Sequence, residues 1–494
     1  MKFDLREKYR EMPAAVKTSL WFTICQFLQR GISLITVPVF TRLLTTEEYG
    51  ICNIYFTWFD VFLLFTSLKI PYEGLNNGLI RYEEKKDAYT SSVLGLILVM
   101  TAAGAGVYLL FRSWIDRLTG LGGFLMALMF VQLMFHPPLM LWTNRERFDF
   151  RYRRPAAVTI ASTLLNLAVT VAAVVRTEYK AQARIIGSMS VQTVSGIVLA
   201  AVLFYRGRTF YKKEYWSFAL RFNLPLIFYY VSQVILNQSD RILINYFQGS
   251  GKAAVYSVAY SAATLMLLVL SAVNGSFHPW MYKKLKAGDF QAVGQTATVL
   301  CLLAGVVTFA VSALAPELVR VLATEEYMEA IWIIAPVSAS VFFIFLYMVF
   351  ANVEMYCNAN RGISVISVAC SLLNIVLNLI FLPVFGYLAA GWTTLFSYLV
   401  LTALHYLLMK RACRASGLPG DIFQKLRLAV ISGGVVLLAF AAMALYRLPY
   451  IRYPVLLAAA AVLLWLFWRR RKEEEHGATD EEPRAGGRDS HRIL

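Results

Sequence analysis

Apolar stretches of roughly 20 residues, the length that crosses a bilayer, recur along the whole chain. Short polar segments rich in Lys, Arg, Glu, Gly and Pro divide them. A helix of such residues satisfies its own backbone hydrogen bonds in lipid. The pattern predicts fourteen spans, at about 18–40, 50–68, 89–111, 121–142, 156–175, 184–205, 222–246, 254–278, 294–315, 329–353, 362–382, 387–409, 427–446 and 450–468. The fold class is therefore an all-α integral membrane protein. Every intervening loop is short, so no soluble catalytic domain is expected on either face. The segment 2–13 suits a short interfacial helix. The tail 469–494, charged and nearly devoid of apolar residues, reads as a disordered end.

Composition agrees. Of 494 residues 58% are hydrophobic, far from a soluble domain. The net charge of +17 does not call for nucleic acid, because basic residues of membrane proteins collect in cytoplasmic loops. With the N-terminus inside, Lys and Arg number 35 in inside segments and 10 in outside loops. That bias predicts a multi-pass protein with both termini in the cytoplasm. No cleavable signal sequence is expected, since the chain is polar as far as Lys17 and the first apolar run lacks a small-residue cleavage site. The six cysteines form no C-x-x-C pair and read as small core residues.

The chain also repeats itself. At a shift of 208 residues, Arg153, Ala161, Leu164, Leu165 and Asn166 fall on Arg361, Ala369, Leu372, Leu373 and Asn374. Gly187 falls on Gly391 at a shift of 204, and "YGICNIY" (49–55) loosely matches "VYSVAYS" (255–261). Six spans separate the copies, so both run the same way through the membrane. Parallel halves with a site between them are a transporter architecture. Segment 1–17 is read as a cytoplasmic N-terminus, 18–205 as an N lobe of spans 1–6, 222–409 as a C lobe of spans 7–12, and 427–468 as two added spans.

No catalytic motif is found. "GSGK" (249–252) lacks the first Gly and the Ser or Thr of a P-loop. The histidines show no metal-ligand spacing, and His136 and His278, each before a proline, read as structural. The informative residues are charges at membrane depth, each costing roughly 2.5–3.5 kcal/mol even on lenient scales. Arg30 and Asp60 sit near the centres of spans 1 and 2. Either they form a buried structural pair, or Arg30 faces a hydrated cavity and meets an anion, for which a guanidinium fork suits phosphate. Lys69 and Arg81, between spans 2 and 3, either greet an anionic headgroup or are ordinary inside charge. Asp240 and Arg241 are adjacent in span 7, about 100° apart on a helix, and so serve different faces. Arg241 suits the cavity between lobes. Asp240 suits a site inside the C lobe with Asn374 and Asn378 of span 11 and Thr393 and Thr394 of span 12. Such oxygens fit a hard cation or a proton, or simply join helices.

The stretches "PVFTRLLTTEEYGICNIY" (38–55), "LNQSDRILINYF" (236–247) and "LLNIVLNLIFLPVFGYLAAGWTTLFSYL" (372–399) resemble polysaccharide flippases, of the O-antigen and capsule type, of the multidrug/oligosaccharidyl-lipid/polysaccharide (MOP) exporter superfamily. The resemblance covers nearly the whole chain. It implies a MATE-like pair of six-helix lobes plus two C-terminal helices in a bacterial cytoplasmic membrane. It further implies that the protein is not an enzyme but flips undecaprenyl-pyrophosphate-linked glycan from the inner to the outer leaflet by alternating access. Expected partners are the lipid-linked glycan, the bilayer and other polysaccharide-assembly proteins. On this reading Arg30, Arg241 and Lys69 bind the diphosphate, and Asp60 is their charge partner. In related lipid II flippases a sodium site uses an Asp on span 7, polar residues on span 11 and a Thr on span 12. Asp240, Asn374, Asn378 and Thr394 match it, for a sodium ion or a proton and no other cofactor. Asn378 stands where an acidic residue is implied, so the site carries one negative charge fewer. The alternatives are a cation-coupled multidrug or metabolite exporter, normally of twelve spans, and a polysaccharide polymerase or ligase, which tends to carry a large outside loop.

Overall fold

The computed structural model describes residues 14–448, 450–454 and 457–458. The predicted interfacial helix at 2–13 and the tail at 469–494 lie outside the described residues, as do several side chains of the first helix, Arg30 among them. Among the described residues the fold is all helical, with no strand. In chain order the helices are α1 (Ala14–Leu43), α2 (Thr46–Ser67), α3 (Leu75–Arg81), α4 (Lys86–Leu110), α5 (Arg112–Thr119), α6 (Gly123–Phe148), α7 (Arg153–Val175), α8 (Lys180–Gly207) and α9 (Lys213–Asn223). The second half holds α10 (Ile227–Gln248), α11 (Ser250–Lys286), α12 (Phe290–Ala313), α13 (Ala315–Leu322), α14 (Ile331–Tyr356), α15 (Asn360–Phe385), α16 (Ala389–Ala415) and α17 (Lys425–Ala444).

Twelve helical stretches among the described residues are long and apolar enough to cross a membrane. They correspond to predicted spans 2–13. Helix α1, at 30 residues, has the length for predicted span 1, but many of its side chains lie outside the described residues. Most of predicted span 14 falls outside the described residues. The short connections expected outside the membrane include two further helices, α5 and α13.

Local sequence explains where key helices begin. Helix α2 opens with a capping box. The Glu48 amide donates to Thr45 Oγ1 at 3.2 Å, and the Thr45 amide donates to Glu48 Oε2 at 2.9 Å. After α2, Leu68 and Lys69 turn left-handed, and a π turn over Ile70–Gly74 leads into α3. Among the spans α14 is the most enclosed, lying against α11, α12, α16 and α17. Helix α7 is the least enclosed of them.

The repeat is visible in the backbone. Phe150 and Asn358, which the repeat places on each other, are both left-handed, at φ 57° and 59°. The bond from the Arg151 amide to the Glu146 carbonyl recurs from Ala359 to Glu354, each 2.9 Å.

The two lobes meet at the end predicted to face outside. There Gly50 lies so close to Ser250 that a Cβ would sit 2.0 Å from its carbonyl oxygen. Thr41 Oγ1 donates to the Leu322 carbonyl at 2.9 Å, and Tyr49 meets Tyr327 edge to face.

Candidate functional site

Midway along α2 the lobes are joined by side chains rather than by close backbone. Asp60, from the N lobe, is exposed to the space between lobes. Its Oδ2 accepts from Gln238 Nε2 of α10 at 2.9 Å. Gln238 Oε1 in turn accepts from Arg241 Nη1 at 2.8 Å. Arg241 and Lys69 are the cations whose fields reach Asp60. The Arg241 guanidinium lies over the Tyr260 ring, 4.7 Å from its centroid, and its Nε is buried without a partner. Lys69 lies over Tyr72, 5.0 Å from the ring centroid. Gln238 thus ties Asp60 to Arg241, and Lys69 lies near enough for its charge to act on Asp60. Gln238 was missed from sequence because a lone Gln on an apolar helix carries no motif.

Asp240 turns the other way, into the C lobe, and is buried. Asn378 Nδ2 donates to its Oδ1 at 2.6 Å, and Thr394 Oγ1 and Tyr256 OH donate to its Oδ2 at 2.7 and 2.5 Å. Asn374 closes the cluster. Its Oδ1 accepts from Ser239 Oγ at 2.9 Å and from Asn378 Nδ2 at 3.3 Å, and its Nδ2 reaches Thr394 Oγ1 at 3.5 Å. Thr393 Oγ1 donates to Asn378 Oδ1 at 2.5 Å. All these side chains are buried. Asp240, Asn374, Asn378 and Thr394 therefore sit together, as their spacing suggested, and Tyr256 and Ser239 join them. One carboxylate facing amide and hydroxyl groups can hold a proton. It can also offer oxygens to a small hard cation if the hydroxyls rotate. Among the described residues no group of three or more His, Cys, Asp or Glu is placed to hold a metal ion.

The N lobe handles the equivalent positions differently. Asn166, Thr170 and Ser190 correspond to Asn374, Asn378 and Thr394, but α1 carries no acidic residue. Here Asn166 donates to the Ser188 carbonyl at 2.5 Å, Thr170 to the Asn166 carbonyl at 2.6 Å and Ser190 to the Gly187 carbonyl at 2.9 Å. Beside them is a cavity of 390 Å³ with a mixed polar and apolar lining, in which Asn166, Thr170, Ser188, Gln192 and Arg184 face Ile32, Phe40 and Leu167. Arg184 is buried against the faces of Phe40 and Tyr49, 4.6 and 4.5 Å from their centroids. Arg30 belongs to α1, and its side chain is outside the described residues.

The family described as "Polysaccharide biosynthesis protein" matches residues 15–284, more than half of the chain. Among solved structures, the lipid II flippase MurJ in an inward closed conformation is 13% identical and has a TM-score of 0.69, covering 91% of this chain and 99% of its own. An inward-facing multidrug resistance MATE family transporter of the MOP superfamily is 13% identical, with a TM-score of 0.57 over 78% of this chain and 96% of its own. A MOP superfamily transporter from Pyrococcus furiosus is 13% identical, with a TM-score of 0.55 over 85% and 96%. At such identities the likeness is one of fold. No curated protein matches the chain by sequence.

Proposed function

The chain belongs to the polysaccharide biosynthesis protein family, a flippase family of the MOP superfamily, and from that premise we propose that it moves undecaprenyl-pyrophosphate-linked oligosaccharide from the inner to the outer leaflet of a bacterial cytoplasmic membrane by alternating access. The observation that carries this reading is the Asp60–Gln238–Arg241 link between lobes. A lipid-linked sugar keeps its prenyl tail in the bilayer while its polar head passes through the protein. Such a head needs a hydrated path and cations for its diphosphate, and no hydrolytic machinery.

Arg241 and Lys69 supply those cations, and Arg30 joins them on sequence grounds. A diphosphate competes with the Gln238 amide oxygen for Arg241, because a charge-assisted bond from a guanidinium to phosphate is stronger than one to a neutral amide. Capture of the diphosphate then leaves Gln238 held by Asp60 alone, so the tie between α2 and α10 loses the bond that orients its amide. In this way substrate binding favours a different arrangement of the lobes. Asp240, with Asn374, Asn378 and Thr394, binds the sodium ion or proton that biases the same helix from its other side.

The test is flipping of a fluorescent undecaprenyl-pyrophosphate oligosaccharide by the full chain in proteoliposomes. Arg241→Ala and Arg30→Ala should each abolish it, and Arg30→Lys should restore little, because an ammonium lacks the bidentate fork. Asp240→Asn should keep substrate binding and lose the response to an imposed sodium or proton gradient. Normal export by Arg241→Ala, or export of a cationic drug in place of the glycan, would overturn the reading.

A further inference from the structure

Away from both sites, the C lobe encloses a carboxylate and an imidazole. Glu354, in the last turn of α14, and His405, on α16, are both wholly buried. His405 Nδ1 and Glu354 Oε2 are 2.8 Å apart, and the Tyr347 ring stacks on the imidazole at 5.3 Å. The outer atoms of the pair, Glu354 Oε1 and His405 Nε2, are buried with no hydrogen-bond partner. We propose that Glu354 and His405 form a proton-binding site of the C lobe, separate from Asp240, whose filling holds α14 against α16 and whose emptying favours their separation.

The argument begins with charge. With a neutral imidazole the pair is a buried anion, and with one added proton it is neutral overall. An uncompensated buried charge costs several kcal/mol. Among the described residues His405 is the charge that acts on Glu354. The Met409 amide of α16 lies toward Glu354 and offers only a dipole. Cys357 and Cys413 lie beside Glu354, and Tyr282 of α11 lies beside Cys357. Tyr229 of α10 and Tyr398 of α16 face Tyr347. From α11, Asn274 accepts from Asn352 Nδ2 at 2.8 Å. Lys425 of α17 lines a neighbouring apolar cleft with Phe350 and Tyr406. Among the described residues His405 is the only ion-pair partner of Glu354. A single proton therefore decides whether this helix interface is charged.

The repeat supplies an independent comparison. A shift of 208 places Glu146 on Glu354 and Asn144 on Asn352, with the left-handed residue four positions after each glutamate. Glu146 is also buried and also reaches the sixth span of its lobe. Its partner there is Arg206, with Nη1 3.3 Å from Oε1. A guanidinium stays charged at any relevant pH. Imidazole is the side chain whose charge changes in the physiological range. The same clamp is thus fixed in the N lobe and switchable in the C lobe.

Tyr347 stacks on Tyr398 at 6.5 Å, Tyr398 feels both Tyr260 and Asp240, and Tyr256, stacked on Tyr260 at 6.2 Å, donates to Asp240. Phenols thus lie beside both sites, Tyr347 and Tyr398 at His405 and Tyr256 and Tyr260 at Asp240.

Two measurements on the full chain in lipid nanodiscs and proteoliposomes test this. The first needs no substrate: a pH-indicator dye counts protons released as pH rises from about 5 to about 8.5. His405→Arg, which installs the N-lobe type of pair, should release about one proton per chain fewer than wild type. Glu354→Gln, a second variant in case the first misfolds, should move that release toward acid. Glu146→Gln should leave it unchanged. Equal release by wild type and His405→Arg, or no shift in Glu354→Gln, would overturn the proton site. The second measurement is the pH profile of flipping, and coupling to transport rests on the function proposed above. His405→Arg should flatten the profile, and an unaltered profile would overturn the coupling. Failure of wild type to flip the glycan would count against the substrate reading alone, since the dye measurement stands without it.

Discussion

The two lobes share a backbone plan and differ in what they bury. In the C lobe Asn378 and Thr394 bond to Asp240 across three helices, and the cluster is closed. In the N lobe Thr170 and Ser190 bond back to their own helices, and a cavity of 390 Å³ remains beside Arg184. One carboxylate makes the difference. A buried charge recruits every donor within reach, because an unpaired one is so costly. Without it, hydroxyls fall back on the carbonyl one turn away. The same contrast governs the inner ends, where Arg206 fixes Glu146 and His405 leaves Glu354 switchable. In both places the titratable chemistry lies in the C lobe, and the N lobe presents the fixed charges.

The largest effect is expected from breaking the C-lobe cluster. Asp240→Ala leaves Asn378, Thr394 and Tyr256 without their acceptor and should destabilise the protein by about 3–5 kcal/mol. Asn166→Ala, the N-lobe counterpart of a change at Asn374, should cost only about 1 kcal/mol. Thermal unfolding in detergent compares them, and equal losses would erase the distinction between lobes.

Next comes the contact between lobes. Gly50→Val has no room against the Ser250 backbone. It should disfavour the joined arrangement by about 1–3 kcal/mol. Gly251→Ala meets only Thr46 Oγ1 at 4.0 Å and should be tolerated. Spin labels at Glu47 and Glu326 should report a longer distance in the first variant and the wild-type distance in the second.

A smaller effect is expected at the central link. Gln238→Leu removes the amide between Asp60 and Arg241. The association of α2 with α10 should weaken by about 1 kcal/mol, the net worth of a typical hydrogen bond. The expected readout is faster exchange between access states at low salt. No change in exchange would mean that Gln238 is not the tie. The smallest effect belongs to the exposed Lys252–Glu329 pair, 2.7 Å apart at the predicted outer end. Lys252→Ala should shift stability by less than about 1 kcal/mol, and a larger loss would give this rim a part in holding the C lobe.

Sequence alone determined the spans from 50 to 446, the parallel repeat and the split of Asp240 and Arg241 between faces. These follow from local rules: about twenty apolar residues cross a bilayer, and neighbours on a helix diverge by about 100°. The group around Asp240 was legible because Asn374 and Asn378 share a helix face and because the resemblance named their helices. Tyr256 and Ser239 were not, since a Tyr or Ser in a span fits ordinary packing equally well. His405 was passed over as one of five scattered histidines. The signal that could have found its partner was the repeat: carried back seven residues from Arg153 and Arg361, it aligns Glu146 with Glu354. Only tertiary structure decided that Gln238 lies between Asp60 and Arg241, and that His405 meets Glu354 across 51 residues of chain. Helix periodicity fixes which residues share a face. Which faces meet, and at what height along the helices, is set by how whole helices pack, and no local pattern records it.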